Sequence, residues 1–303
     1  MSMDSVLYLL SIRLASLYRA LISSMQELWD HPSAVIGGVS LVACVLAAIL
    51  APQLSPHDPL RGDLSVRLLP PAWEEGGTTT YLLGTDAQGR DMLSRIIWGA
   101  KVSLRIGFLV VGACALVGTT LGALAGYFGG WIDRPLCRFV DLLMAFPYLI
   151  WAIGVMAFLG PGFVNILLAL SLKGWVSFFR LVRGEMLSEK TKEYVEAARM
   201  VGQSDFAIIV SEILPNTFQS VLVLVTLRMS IVILLEASLS FLGLGIQPPT
   251  PAWGSMVSEG REYMMTSWWV STVPGIAILV VVLSLNLLGE GLRDVLDPRL
   301  QIE

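Results

Sequence analysis

Residues Tyr194 to Asn216 read YVEAARMVGQSDFAIIVSEILPN and form a polar segment between two long apolar runs. The segment begins with good helix formers, and Gly202 suits a left-handed turn after them. Ser204 or Asp205 can cap a second short helix, and Pro215 fits the first turn of the helix that follows. Two alanines and a glycine leave little side-chain bulk, so the surface of another protein can approach this backbone closely. The same periodicity also fits an ordinary amphipathic hairpin in a loop of a membrane protein.

The composition indicates a polytopic membrane protein. Hydrophobic residues make up 55% of the 303 residues and charged residues only 15%, and the mean hydropathy is +0.71. Ordinary soluble domains carry about 25% charged residues. The formal net charge of −4 is small and the chain has no basic patch, so no nucleic-acid partner is expected. The three cysteines stand in or beside apolar runs without a CxxC pair, which argues against a metal site or a disulfide.

Apolar runs predict an all-α fold with six transmembrane helices, because a helix needs about 20 apolar residues to cross the bilayer core. The predicted spans cover residues 34–51, 102–127, 139–159, 164–182, 213–242 and 271–288. In the second span Gly118, Gly122 and Gly126 predict that a neighbouring helix packs closely. Pro147 predicts a kink in the third span, because proline removes a backbone hydrogen bond.

Both ends of the chain are predicted to lie in the cytoplasm. Residues 4–29 carry leucines on one helical face, interrupted by two arginines. They resemble an amphipathic helix in the membrane interface rather than a signal peptide or a further span. The cytoplasmic side is marked by the basic residues of the loop 184–212 together with Arg134, Arg138, Arg180 and Arg183, which gives an even number of spans with both termini inside.

The long external loop contains a second motif, LGTDAQGRD, at residues 83–91. Thr85 or Asp86 is a plausible N-cap for the helix that enters the second span. One interpretation of the motif is therefore a capped, salt-bridged helix start.

Three ionisable residues fall inside predicted spans. Lys173 lies in the fourth, and Arg228 and Glu236 lie eight residues apart in the fifth, which separates them by about 12 Å along a helix axis. Such groups must pair, face a wet cavity or reach the interface. Two interpretations stay open: a structural ion pair with another helix, or residues that line or gate a translocation path.

Four separated motifs together resemble the permease subunits of binding-protein-dependent ABC importers, in the branch that carries dipeptides, oligopeptides or nickel. The first is the Glu-Ala-Ala sequence at 196–198 followed by Gly202 and by Ile-Leu-Pro at 213–215. The others are LGTDAQGRD at 83–91, EASLSFLGLG at 236–245 with the prolines after it, and NLLGEGLRDVLDP at 286–298. The chain is most similar to the C-type dipeptide permeases of that branch, over nearly everything from residue 34 to residue 300.

This resemblance implies the type I ABC importer permease fold and transport by alternating access. In the family, a cytoplasmic loop sits in a cleft on an ATPase subunit and transmits the closure of that cleft to the spans. The implied coupling residues are Glu196, Ala197, Ala198, Gly202, Ile213 and Pro215. The implied periplasmic motif consists of Gly84, Thr85, Asp86, Gly89, Arg90 and Asp91. We expect a cytoplasmic amphipathic N-terminal segment at 1–33, a first helix and periplasmic loop at 34–101, the core permease domain at 102–290 with its cytoplasmic coupling loop at 184–212, and a cytoplasmic tail at 291–303.

The resemblance also implies partners in a bacterial inner membrane. They are a second homologous permease, two ABC ATPase subunits and a periplasmic or extracytoplasmic solute-binding protein. The sequence contains no GxxxxGK[ST] phosphate loop, so we expect no ATP hydrolysis and no cofactor in this chain. ATP and Mg are expected on the partner subunits.

Other functions remain open from the sequence. A nickel importer permease shares the same motifs. An ion-coupled secondary transporter or channel would use the intramembrane charges as a relay and would predict inverted repeats, of which the sequence gives no convincing example. A membrane enzyme would need polar catalytic groups on facing spans, and Lys173, Arg228 and Glu236 form no recognisable catalytic constellation.

Overall fold

The computed structural model describes residues 31–296. The predicted amphipathic helix at 4–29 and the tail from residue 297 onward lie outside these residues. Within the described part of the chain, all regular structure is helical apart from one isolated bridge between Thr85 and Asp91. The predicted all-α class is therefore confirmed.

The helices follow one another along the chain with short connections, except for the long loop between the second and third. The α-helices are α1 Pro32–Ile49, α2 Ala51–Leu54, α3 Met92–Phe128, α4 Gly130–Met144, α5 Tyr148–Leu159, α6 Phe163–Glu189, α7 Glu193–Met200, α8 Asp205–Ala207, α9 Leu214–Phe241, α10 Trp253–Gly260 and α11 Trp269–Leu296. Short 3-10 turns occur at Leu64–Val66 and Arg261–Tyr263, and a π-helical segment Ile208–Ile213 joins α8 to α9.

Five helices between residues 31 and 296 are long and apolar enough to cross a membrane. They are α1, α3, α6, α11 and the continuous helix Asp205–Phe241 that contains α8 and α9. The pair α4 and α5 supplies a sixth crossing if it forms one broken span, and its two halves are bent by 88°. With that pair counted as one span, the helices correspond to the six predicted apolar runs.

The second span begins earlier than predicted. Its helix α3 starts at Met92, because the side chain of Asp91 accepts a hydrogen bond from the N–H of Ser94 at 2.9 Å and so forms the N-cap. The expected caps, Thr85 and Asp86, lie in the loop before it, and that prediction was wrong.

The third predicted span is broken rather than kinked. Helix α4 ends at Met144, and α5 begins at Tyr148 after Pro147, whose ψ of 140° is extended. A proline disfavours the helical conformation in the residue before it and offers no N–H to the preceding turn. The break therefore leaves backbone carbonyl groups in the membrane region that need other donors.

The glycine ridge of α3 packs directly on α6, as predicted. A Cβ added to Gly122 would lie 2.7 Å from the carbonyl oxygen of Phe179, and one added to Gly126 would lie 2.6 Å from the Cβ of Met186. Gly118 contacts the same helix one turn earlier, at Trp175. Because no side chain intervenes, the two backbones touch, and this contact forms the centre of the membrane domain.

Candidate functional site

The predicted coupling loop forms two short helices joined by a tight turn. The Glu-Ala-Ala sequence lies in α7, which ends at Met200, and Gly202 follows two residues later in the left-handed conformation with a φ of +80°. The N–H of Gly202 donates to the carbonyl of Arg199 at 2.9 Å, and the N–H of Gln203 donates to that of Ala198 at 3.1 Å. This pair of bonds is the Schellman motif that ends many helices at a glycine. The predicted left-handed turn at Gly202 is confirmed.

The second helix of the loop runs without a break into a span. The Oγ of Ser204 accepts from the N–H of Ala207 at 3.4 Å, which confirms the predicted cap of α8. The π-helical segment follows, and Pro215 stands in the first turn of α9. The ring of a proline crowds the carbonyl four residues before it, and a wider π turn relieves that crowding. The fifth span therefore begins inside the loop, at Asp205, and not near Ile213 as predicted.

The predicted coupling residues divide into a surface group and an anchoring group. Glu196, Ala197 and Gly202 are exposed, Ala198 and Pro215 are half-buried, and Ile213 is fully buried. No heavy atom lies within 4 Å of a Cβ added to Gly202. The surface group is thus free to meet another molecule, while Ile213 packs the loop onto the membrane domain.

Three apolar side chains beside the turn point into solvent. Met200 is 90% exposed, Val201 is 84% exposed and Phe206 is 76% exposed. Sequence reasoning did not single out Met200 or Val201, because an apolar residue in a membrane protein is ordinarily expected in the core or against lipid. Their position at the tip of a polar loop is the sequence signal that could have singled them out.

Polar contacts hold the loop against the ends of the spans. The hydroxyl of Tyr127, at the end of α3, donates to Asp205 at 2.6 Å, and the guanidinium of Arg199 stacks over the Tyr127 ring at 5.6 Å from its centre. The hydroxyl of Tyr194 donates to the carboxylate of Glu189 at 2.7 Å. Partial burial and this carboxylate raise the pKa of Tyr194 to about 12, so its hydroxyl stays a donor at neutral pH. The loop is therefore an ordered surface.

The external motif folds into a tight turn stabilised by buried charges. The N–H of Asp86 donates to the carbonyl of Arg90 at 3.0 Å, and the two side chains pair at 2.6 Å. Arg95, in the first turn of α3, also reaches the Asp86 carboxylate at 3.0 Å. Thr85 closes the turn by accepting from the N–H of Leu69 at 2.9 Å. Gly84 and Gly89 both adopt positive φ angles within the same turn.

This cluster joins the external loop to α10. The carboxylate of Glu259 lies 3.0 Å from Arg90 and 3.2 Å from Arg95. Burial raises the pKa of the Glu259 carboxyl, and the guanidinium of Arg90 opposes that rise. Sequence reasoning missed Glu259, because it lies far along the chain from the motif that it contacts.

Glu236 does not form an ion pair with another helix among the described residues, which was one of its two interpretations. Its side chain is fully buried, and its carboxylate accepts from the hydroxyl of Ser103 at 2.9 Å and from that of Ser240 at 2.8 Å. No cation among residues 31–296 lies within ion-pairing distance of it. Glu236 therefore links α3 to α9.

Lys173 and Arg228 line one cavity of about 410 Å³ between α6 and α9, beside the break before α5. The ammonium of Lys173 donates to the carbonyl of Phe146 in that break. It also lies 5.8 Å from the ring centre of Tyr148. Among the described residues, no three His, Cys, Asp or Glu side chains converge into a metal-binding group.

Comparison with known proteins agrees with these features. Residues 118–302 match the family described as binding-protein-dependent transport system inner membrane component, and residues 23–71 match the N-terminal transmembrane domain of oligopeptide transport permease C. The dipeptide transport system permease protein DppC of Haemophilus influenzae is 42% identical over 91% of this chain and 95% of its own length. The di/tripeptide transport system permease protein DppC of Pseudomonas aeruginosa is 40% identical over 92% and 93%, respectively. The chain belongs to the family of binding-protein-dependent transport system inner membrane components, as its motifs predicted.

Proposed function

We propose that this chain forms half of the translocation path of an ATP-driven importer for dipeptides or short oligopeptides. A second, homologous permease supplies the other half, and two ABC ATPase subunits bind the coupling loops. A solute-binding protein on the external side delivers the peptide. Both termini and the loop 184–212 lie in the cytoplasm, where ATP and Mg bind to the ATPases and not to this chain.

The exposed apolar tip of the coupling loop is the observation that carries this proposal. Met200, Val201 and Phe206 stand in solvent on a backbone that a Schellman turn, a Ser204 cap and the Tyr127–Asp205 hydrogen bond keep ordered. Leaving such side chains exposed is unfavourable, and their burial in a cleft on another subunit removes apolar area from water. The ordered backbone reduces the entropy lost on binding.

The connections of the loop explain how ATPase closure reaches the membrane. On one side α7 follows directly on α6, and on the other side α8 continues into the span of α9. A force on the turn at Gly202 therefore acts on two spans, one of which packs closely against the glycine ridge of α3. Rocking of these helices between inward-open and outward-open arrangements is the expected result.

The peptide substrate rests on the relatives and not on a site in this chain. The names of the relatives from Haemophilus influenzae and Pseudomonas aeruginosa specify dipeptides and di- or tripeptides. Because the alignments with these relatives, at 42% and 40% identity, cover 91% and 92% of the chain, we assign the same class of solute here.

Purification of the tagged chain in mild detergent tests the assembly. We expect a second permease and phosphate-loop ATPases to co-purify, and the reconstituted complex to take up Ala-Ala only with ATP. Met200→Ser should reduce the ATPase recovered, because it removes apolar area from the contact. Met265→Ser is the matched control, since Met265 is 97% exposed but lies in the loop between α10 and α11. Recovery of the chain alone, active in vesicles without ATP, would overturn the proposal.

A further inference from the structure

The cavity between α6 and α9 contains three basic side chains. Lys173 and Arg180 come from α6, and Arg228 comes from α9. Lys173 and Arg180 are seven residues apart, which places them on the same helical face at about 10 Å along the axis. The volume of about 410 Å³ falls in the range of about 300–1,000 Å³ that small-molecule sites occupy.

Between residues 31 and 296 no acidic group lines this cavity, whereas Asp141 lines a second cavity that Arg180 also lines. None of the ion pairs formed within that range involves Lys173, Arg180 or Arg228. The contacts of Lys173 and Arg180 are instead neutral: the carbonyl of Phe146, and the Sδ of Met144 at 3.0 Å from Nη1 of Arg180.

The depth of Lys173 makes its missing counter-charge significant. It lies ten residues into α6, which corresponds to about 15 Å from the helix end, or half of a bilayer core of about 30 Å. An ammonium at that depth must face water or an anion, because its insertion into lipid is costly. The cavity provides the wet surface, and it leaves an anionic partner to be supplied from outside the described residues.

The remaining walls of the cavity fit a peptide chain end. Val176, Leu181 and Leu224 provide apolar surface beside the cations, and Ser177 provides a hydroxyl. The hydroxyl of Tyr148 donates to the carbonyl of Leu170 at 2.6 Å, which fixes the ring that faces Lys173. A carboxylate with a small side chain next to it is the group that such a surface complements.

We propose that this cavity is a subsite for the C-terminal carboxylate of a peptide in transit, with Lys173, Arg180 and Arg228 as its cationic contacts. The inference rests on the proposed peptide import. It names residues of this chain that contact the solute inside the translocation path, whereas the binding protein selects the solute outside it. The rival occupant is an acidic side chain of the second permease, which would neutralise the same cations.

The test uses the complete importer and measures two quantities. One is whether the cavity reacts faster with an anionic than with a cationic reagent, and the other is whether a peptide shields it from reaction. A Ser177→Cys variant is made in a chain with Cys44, Cys114 and Cys137 replaced by alanine, and the complex is reconstituted in vesicles. Its modification rate is compared for an anionic and a cationic methanethiosulfonate reagent. We expect the anionic reagent to react faster, and the ratio of rates to fall roughly five- to ten-fold with Arg228→Gln, because a nearby charge is lost.

Lys173→Gln provides a second variant if Arg228→Gln does not assemble, and Arg105→Gln is the matched control. Arg105 lies over the Phe163 ring at 5.5 Å, outside the cavity, so its loss should leave the ratio unchanged. Ala-Ala at millimolar concentration should protect Ser177→Cys, and Ala-Ala-amide should not.

Several results would overturn the subsite. The first is that the anionic reagent shows no preference for Ser177→Cys without further substitution, which is what an acidic side chain of the second permease predicts. The second is that the peptide and its amide protect the cysteine equally. The third is that the ratio of rates stays unchanged in both glutamine variants. These readouts need no ATP hydrolysis, whereas peptide import is judged separately from ATP-driven uptake of Ala-Ala. If the importer takes up Ala-Ala but the peptide does not protect Ser177→Cys, the subsite is refuted and the proposed peptide import still stands.

Discussion

Replacement of Gly202 isolates the contribution of one backbone conformation to coupling. Gly202 has a φ of +80°, and a Cβ added there meets no atom within 4 Å. Gly202→Ala therefore costs only the left-handed conformation, about 1–2 kcal/mol for an L-residue. That free energy lowers the equilibrium constant for forming the turn roughly 5- to 30-fold. Gly202→Asn should cost less, because asparagine tolerates this conformation.

The assay is titration of the detergent-solubilised permease pair with the ATPase subunits, followed by ATP-driven uptake of Ala-Ala. We expect the apparent Kd for the ATPase to rise with Gly202→Ala, by at most about 30-fold, and by a smaller factor with Gly202→Asn. The amount of chain in the membrane should not change. Gly184→Ala is the control: a Cβ there also meets no atom within 4 Å, but Gly184 lies inside α6, where alanine is favoured.

An unchanged Kd with Gly202→Ala would refute the argument that the left-handed turn holds the contact surface. A weaker complex with Gly202→Asn than with Gly202→Ala would refute the proposed order of backbone costs. It would indicate that side-chain bulk at the contact decides the affinity.

Two further predictions concern the membrane domain and the external cluster. Gly122→Leu should prevent the close contact of α3 with α6 and lower the yield of folded protein at least several-fold, measured as the amount of monodisperse protein recovered in detergent. Gly112→Leu is the control and should be recovered normally, because Gly112 lies on the same helix and a Cβ added there has no atom within 4 Å. Glu259→Gln should lower the Tm of the purified chain, with a cost of about 1–3 kcal/mol, because it leaves Arg90 and Arg95 with one fewer counter-charge. The exposed Glu262→Gln should leave Tm within error, and equal Tm values for both variants would contradict this role of Glu259.

Local signals in the sequence predicted the helices, the turn chemistry and the family. Hydropathy alone locates the spans, since the cost of exposing polar backbone to lipid admits few other structures. The turn at Gly202 and the cap at Ser204 were predictable because each depends on a few adjacent residues. The glycine ridge of α3 predicted a close helix contact, although not which helix makes it.

The tertiary structure decided what depends on residues far apart in the chain. Glu236 binds hydroxyl groups of Ser103 and Ser240 rather than a cation, and only the packing of α3 against α9 brings Ser103 to it. The sequence predicts only a kink at Pro147 and not the break, because the extent to which a proline interrupts a helix depends on partners for the freed carbonyls, such as Lys173. Composition and local pattern therefore determined the elements of this protein, whereas the partners of its buried charges follow from distances that only the packed helices set.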